Sequence, residues 1–325
     1  MQKKILILFL ASVVVLAGCT SAGNQSAATT SANGIVITKF APDFNELRSG
    51  DSATLSLSIQ NVGGAEATNL KAQLFGGIGE GTGWDVTPSA VTRAINPSSL
   101  KSADTVNNLP GESADADWQL TSPSDLKTTT PYTAGVRVYY GYSALSSATL
   151  RFFSDSYLKT LPAAQYQSTI KTAGVVSQSS TSGPVAVSYS SGSRPLIADP
   201  DNANTFSIQI TFNNVGSGNT FNSTDDTAKD SNLYYVSYKL VPNSAELTIT
   251  CPAGDGTSDD VVWMSSSTLT DQIRLSGGKT KVIFCQVNNP GEAVTNTKDY
   301  SINVEANYGY FVEGQTAINV LAAPQ

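Results

Sequence analysis

The sequence predicts an all-β protein made of two tandem antiparallel β-sandwiches. Two observations predict it. Apolar and polar residues alternate with period two along many short segments, and the whole pattern is written twice. Such alternation gives a strand one dry face and one wet face. No segment shows a sustained helical period.

The repeat rests on three anchors in the same order. LSLSIQNVGG (55–64) corresponds to SIQITFNNVG (207–216), each run ending in Asn-Val-Gly. GESADADWQLTSP (111–123) corresponds to GKTKVIFCQVNNP (278–290). YTAGVRVYYGYSALSSATLRF (132–152) corresponds to YSINVEANYGYFVEGQTAINV (300–320), with a shared Tyr-Gly-Tyr. The period is roughly 150–170 residues, a domain rather than a solenoid unit. The expected units are residues 34–155 and 183–321, joined by 156–182, whose end (VVSQSSTSG) reads as a linker.

The strands follow in order. Leu55, Leu57 and Ile59 alternate with Ser56, Ser58 and Gln60, as Ile208, Ile210 and Phe212 do with Gln209, Thr211 and Asn213. Ala114, Ala116, Trp118 and Leu120 alternate with Asp115, Asp117 and Gln119. Ala134, Val136, Val138 and Tyr140 define the dry face of the next strand, with Tyr139 beside Arg137 on its wet face. Ala148, Leu150 and Phe152 are expected to close the first unit. About seven strands per unit, parted by Gly, Pro, Asn and Asp turns, fit an immunoglobulin-like sandwich.

The N-terminus carries an address. Lys3 and Lys4 precede the apolar run Ile5–Leu16. Twelve residues at about 1.5 Å each do not span a bilayer core of about 30 Å, so the run reads as the h-region of an export signal, residues 1–18. Leu16-Ala17-Gly18-Cys19 follows, and resembles the lipobox of prokaryotic lipoproteins. That resemblance implies cleavage before Cys19 and a diacylglyceryl group on its thiol, anchoring the chain to the outer side of a membrane. Residues 19–33 then form an uncharged tether of small residues, too polar to bury a core.

The units themselves resemble the CARDB-like domains and S-layer-type Ig-like repeats of archaeal and bacterial surface proteins. The resemblance lies in IVITKF (35–40), the Gly50-Asp51 turn, the strand ending in Asn-Val-Gly, the Pro110-Gly111-Glu112 turn before Trp118, and the Tyr-rich penultimate strand. It covers the first unit almost fully. The second departs in its middle, where Gly277-Gly278 replaces Pro110-Gly111. The resemblance implies an envelope location, leaning toward an archaeal source, and a packing or adhesion role. It implies no catalytic residue.

Composition narrows the chemistry. The chain has 325 residues, no histidine and three cysteines. That excludes Ser-His-Asp and Cys-His nucleophiles, His-ligated metals and four-cysteine zinc. The net charge of −7 falls to −9 once Lys3 and Lys4 leave with the signal, which argues against nucleic acid as a partner. Five Ser-x-x-Lys matches are chance in a Ser-rich chain, because their partner motifs are missing. FGGIGEGTGW (75–84) lacks a phosphate-loop pattern. No cofactor is expected, with one open alternative. Acidic loops of the second unit hold Asp225, Asp226 and Asp230, and Asp255, Asp259 and Asp260. Such oxygens suit calcium, although Asp is also an ordinary turn former. Asn24 and Asn222 begin glycosylation sequons.

Cys251 and Cys285 are the only cysteines besides the anchor, and both end apolar runs in the second unit. An exported domain favours their disulfide, two buried thiols being the alternative. Between Asn-Val-Gly and the aligned glycine the first unit runs from 63 to 111 and the second from 216 to 278, so the second is 14 residues longer there. Specific recognition is expected in that unit. Val282 and Phe284 replace the outward Asp115 and Asp117. A strand apolar on both faces predicts a cover, with Val261, Val262, Trp263 and Met264 as its first source and the joint 156–182 or a neighbouring molecule as the others, the alternative being a register slip that turns the strand over. The function expected is that of a non-enzymatic lipid-anchored surface protein in envelope structure or adhesion, with protein or glycan partners. The alternative is a ligand- or calcium-binding lipoprotein serving a membrane complex. A cleft of converging polar groups would favour the second; exposed flat sheet would favour the first.

Overall fold

The computed structural model describes residues 31–323, except 80, 90, 91, 193, 203 and 253–268. The first repeat contributes β1 (Ile35–Pro42), β2 (Glu46–Arg48), β3 (Ser52–Asn61), β4 (Thr68–Gly76), β5 (Asp85–Thr87), β6 (Arg93–Ala94), β7 (Ser113–Thr121) and β8 (Thr130–Ser154). Helices α1 (Asp155–Thr160) and α2 (Ala163–Ile170) and strand β9 (Gly174–Ser180) follow. The second repeat contributes β10 (Val185–Ser190), β11 (Ile197–Ala198), β12 (Thr205–Asn214), β13 (Asn219–Phe221), β14 (Tyr235–Pro242), β15 (Ile249–Thr250), β16 (Leu269–Arg274), β17 (Thr280–Asn288) and β18 (Thr297–Leu321). The chain is all-β and the sheets are antiparallel apart from two short parallel pairings.

Two four-stranded sheets, β1-β3-β7-β5 and β10-β12-β17-β15, repeat one another. Both pack on a single long sheet of order β16-β14-β18-β8-β4-β6. The predicted dry faces form the core: Leu55, Leu57, Ile59, Trp118, Leu120, Ile208, Ile210 and Phe212 are buried.

The tandem arrangement differs from the expected one in a basic respect. β8 and β18 have 25 residues each and pair antiparallel from Thr130↔Val320 to Phe153↔Thr297. At about 3.4 Å per residue such a strand is some 80 Å long and crosses both sandwiches. The end of β8 therefore serves the second core. Phe152 packs edge-on against Phe206 and Tyr300, with centroids 5.6 Å apart in each pair. The end of β18 returns to the first, where Gly314 lies against Ile37 and β2 pairs parallel with Asn319–Leu321. Symmetrically, β11 pairs parallel with Phe153 and Ser154 of β8. Ala148, Leu150 and Phe152 thus close the second sandwich, not the first. The joint 156–182 is also more ordered than a linker: it forms α1, α2 and β9, and β9 pairs with Ser146–Arg151 of β8.

The crossing point explains two of the repeat's anchors. Gly141 faces Gly309, Tyr140 faces Tyr310 and Tyr142 faces Tyr308, so the palindromic Tyr-Gly-Tyr motifs pair about a pseudo-twofold axis. All four rings are buried and in mutual contact, with centroids 5.6–6.2 Å apart. The hydroxyl of Tyr140 accepts from Ile35 N at 3.1 Å, and that of Tyr308 accepts from Val185 N at 3.1 Å. Tyr142 accepts from Ala65 N and donates to the Ser182 carbonyl, while Tyr310 accepts from Gly218 N and donates to Asn214 Oδ1. The Asn of each Asn-Val-Gly holds the adjoining loops. Asn61 Nδ2 donates to the carbonyls of Ala65 and Leu100, and Asn214 Nδ2 to those of Gly218 and Gly278. The Gly of each motif gives the tyrosine room. A Cβ on Gly63 would stand 2.1 Å from the Tyr142 hydroxyl, and one on Gly216 would stand 2.5 Å from that of Tyr310.

This cluster sets an alkaline limit. Burial pushes the Tyr140 and Tyr308 phenols well above their ordinary range, raises Tyr142 and takes Tyr310 up to about 12. The unfolded chain ionises these groups near pH 10, so above that pH it binds fewer protons than the folded chain. The stabilisation is complete below pH 10 and is lost as pH rises toward 12. Each such phenol contributes a slope of about 1.4 kcal/mol per pH unit in that window. Titration at 295 nm should show these tyrosines ionising together with loss of β-structure, and not before it.

Candidate functional site

The two four-stranded sheets share a register but not an outer surface. In the first, Asp115, Asp117 and Gln119 point outward from β7, and the Gln119 amide donates to Thr54 Oγ1 at 2.9 Å. This is a solvated acidic face. In the second, Val282, Phe284 and Gln286 occupy the outward positions of β17, beside Thr211, Gln209 and Ser207 of β12. The inward Ile283, Cys285 and Val287 are buried. Phe284 is 56% exposed and Val282 37%. Phe284 is largely exposed, and the expected source of its cover, Val261, Val262, Trp263 and Met264, lies outside the described residues. A wet Phe forgoes roughly 1.5–3 kcal/mol of burial, so folding gives no reason for its place.

At the end of this face lies a cleft of about 460 Å³, between the 191–196 segment after β10 and the strands β12 and β17. Arg194, Ser207, Gln209 and Gln286 are among the residues that line it. A second hollow of about 330 Å³ adjoins it, and Arg194, Thr205 and Phe206 border both. Asp155, Asp199 and Asn289 line that side. Asn289 fixes the local backbone by donating to the Asp199 carbonyl at 2.6 Å. Lys159 pairs with Asp155 at 2.5 Å, and this hydrogen bond raises the ammonium above its ordinary value. Arg194 is exposed and makes no ion pair among the described residues. The face thus combines an open ring, two side-chain amides, hydroxyls and a cation. Such a set suits binding by contact and hydrogen bonding. Among its described residues no nucleophile is paired with a base.

The structure places the other candidate residues elsewhere. Cys251 and Cys285 are joined, with S–S 2.07 Å, and both are fully buried. The loop 222–232 does not stand free. Lys71 pairs with Asp226 at 2.6 Å, and the segment covers a small cluster of Tyr139, Phe221 and Phe311, with Ala228 and Leu233 against it. Tyr139, expected on a wet face, is on the outer face of the long sheet but only 2% exposed. The residues that cover it belong to the other repeat, which local alternation does not reveal. Asp225 and Asp226 border a hollow of about 150 Å³ with Lys71 in it, and Asp230 is exposed. Among the described residues no three side chains of His, Cys, Asp or Glu gather as a metal site. Asp255, Asp259 and Asp260 lie outside the described residues, as do Cys19, Asn24 and the export signal. Asn222 is half-buried on its loop, and its carboxamide oxygen accepts from Thr224 N and Oγ1. Arg194 and the cleft were missed by sequence reasoning, since a lone Arg among Ser and Gly carries no motif.

No family model matches the chain. The CARDB-like and S-layer-type resemblance therefore has the quoted motifs as its whole basis. No curated protein matches either. Among solved structures, the secreted serine protease VesC from Vibrio cholerae aligns at 10% identity with a TM-score of 0.19, over 85% of this chain and 50% of its own. The chain spans half the length of that protease. The MSCRAMM ACE of Enterococcus faecalis aligns at 7% identity and TM-score 0.15, over 89% of this chain and 95% of its own. The CupB6 tip adhesin of Pseudomonas aeruginosa aligns at 10% identity and TM-score 0.17, over 90% and 96%. At such TM-scores these alignments carry no argument; the fold class rests on the strands themselves.

Proposed function

We propose that the chain is a non-enzymatic, lipid-anchored surface protein that binds a partner macromolecule through the outer face of its second sandwich. One observation carries this reading. At repeat-equivalent positions of one fold, an acidic solvated face became an open apolar and amide face, Asp115, Asp117 and Gln119 against Val282, Phe284 and Gln286. An exposed aromatic at the middle of a rigid strand is a contact residue more than a core residue. The anchor rests on Leu16-Ala17-Gly18-Cys19 and the short apolar run before it. Two acyl chains hold a protein at a membrane where one holds it only marginally. No helix among the described residues is long and apolar enough to cross a membrane.

The test is adhesion of cells displaying the protein. Phe284→Asp with Val282→Asp, and separately Arg194→Ala, should each cut adhesion roughly tenfold, as loss of a contact residue does. Ser58→Ala on the first sandwich should leave it unchanged. Unchanged adhesion in all three would remove the face from the function. Mass spectrometry of the mature N-terminus should find an acylated Cys19; a free Thr20 would remove the anchor. The cleft at Arg194 favours a second reading, a lipoprotein that holds a small polar ligand for a membrane complex. Saturable binding of a small molecule that Arg194→Ala abolishes, with adhesion intact, would favour it.

A further inference from the structure

The two repeat-equivalent sheets differ in charge as well as in polarity. Counted back from the shared Asn-Val-Gly, Ser207 corresponds to Thr54 and Gln209 to Ser56. In the first sandwich the edge beside Thr54 is filled. β1 pairs as far as Pro42↔Leu55, and Asp43 N then donates to the Thr54 carbonyl while Thr54 N donates to Asp43 Oδ1, each at 2.9 Å. In the second sandwich the ladder of β10 ends earlier, at Ser190↔Gln209. The chain leaves the sheet there, and the 460 Å³ cleft lies between the segment that follows and Ser207. Asp43 lies between β1 and β2, and Arg194 lies between the equivalent β10 and β11. Where the first face carries Asp43, Asp115 and Asp117, the second therefore carries Arg194, Val282 and Phe284.

The polar groups of the second face are also uncommitted. The side chains of Arg194, Ser207 and Gln209 make no hydrogen bond or ion pair among the described residues, and Gln286 uses only its amide oxygen, which accepts from Thr205 Oγ1. In the first sandwich the equivalent groups are tied to one another: Gln119 donates to Thr54 Oγ1 at 2.9 Å, and the Ser52 and Thr121 hydroxyls bond at 3.0 Å. Register sets the free groups in rows. Gln209 stands opposite Phe284, and Ser207 opposite Gln286. Opposite residues are about 5 Å apart, and alternate residues along a strand about 7 Å. That patch is the size of a pyranose ring. The C–H face of such a ring packs on an aromatic side chain, and its hydroxyls exchange hydrogen bonds with amides and hydroxyls. From Val282 to Asn288 the row runs about 20 Å, room for several sugars end to end.

We infer that this face binds an acidic glycan. Neutral sugar rings lie on Phe284 and Val282, the side chains of Gln209, Gln286 and Ser207 hold their hydroxyls, and Arg194 holds the carboxylate of a uronate-type sugar. A guanidinium takes a carboxylate through two parallel hydrogen bonds. The inference rests on the reading of this face as the contact surface and narrows its partner. A peptide anchors by apolar side chains in deep pockets, whereas this cleft is lined mostly by hydroxyl, amide and guanidinium groups. The adjoining hollow limits the acid to one group. It carries Asp155, already paired with Lys159, and Asp199, so a second carboxylate beyond Arg194 is repelled. The acidic face of the first sandwich repels the same ligand, so each chain holds one site.

Calorimetric titration of the full chain in detergent micelles tests this, with alginate oligomers as the uronate probe, dextran oligomers as the neutral one and dextran sulfate as a general polyanion. The chain carries a net charge of −7 and repels polyanions as a whole, so binding of alginate reports a local site. Alginate should bind saturably, one stretch per chain, at least tenfold tighter than dextran. Arg194→Ala should weaken alginate roughly tenfold and abolish its advantage over dextran. Phe284→Ala should weaken both roughly tenfold, and Ser58→Ala on the first sandwich should change neither. Alginate binding that ignores both Arg194→Ala and Phe284→Ala would overturn the inference. So would dextran sulfate binding as tightly as alginate with no response to Arg194→Ala. If alginate fails to bind while Phe284→Asp with Val282→Asp still cuts adhesion, the glycan is overturned and the face belongs to a protein partner.

Discussion

Asn214→Ala should destabilise the protein by about 3–4 kcal/mol, measured by chemical denaturation, because three groups lose their partner in a buried site. The carboxamide of Asn214 donates to the carbonyls of Gly218 and Gly278 and accepts from the Tyr310 hydroxyl. Asn214→Asp should be no better. A carboxylate still accepts from Tyr310 but offers no donor to the two carbonyls, and it must be desolvated. Asn61→Ala should cost a similar amount, since Asn61 donates to the carbonyls of Ala65 and Leu100 and accepts from Gly63 N at 3.0 Å. The equivalence of the two effects would follow from the equivalence of the two networks.

Removing the disulfide by Cys251→Ala with Cys285→Ala should cost roughly 3–4 kcal/mol from the chain entropy of the loop it closes. The bridge spans 34 residues and encloses the whole of 253–268. It joins β17 to the residue just after β15 in the second core, and since the two cores share β8 and β18 the loss should show as lower stability of the whole body. Denaturation of the oxidised protein with and without reductant checks the same quantity without mutation. A change below about 1 kcal/mol would mean that the bridge constrains little of the unfolded chain.

Much of this architecture was legible in the sequence because the repeat and the period-two pattern act locally. Asn-Val-Gly and Tyr-Gly-Tyr each mark a position that a neighbour occupies tightly, and both recur in the two halves. The outward register of Phe284 could be read from its alignment with Asp117 for the same reason. What was not legible was long-range. Ala148, Leu150 and Phe152 alternate as a strand should, but nothing local tells which core they enter. They are the far part of the 25-residue β8, where Ser146 Oγ lies within hydrogen-bond reach of the Ser179 and Val187 carbonyls, and Phe152 joins the second core. The burial of Tyr139 under Phe221 and Leu233 depends equally on partners more than 80 residues away.

The exchange of β8 and β18 has a consequence for the molecule at a surface. Two beads on a linker can bend and unfold separately. Here each core contains the other repeat's last strand, and the long strands are paired over almost their full length. Arg137 with Glu313 and Arg151 with Asp299 add one ion pair toward each end of that ladder. The two sandwiches should therefore form one stiff, cooperative body.

Native-state hydrogen exchange on the Asn214→Ala variant tests that claim most directly. The substitution lies in the second repeat, at the end of β12. If the shared strands make one cooperative body, amides of Leu57 and Ile59 in β3 should lose the same free energy of protection as those of Ile208 and Ile210 in β12. Lost protection confined to β12 and its sheet, with β3 unchanged, would show two independently stable domains and contradict the account.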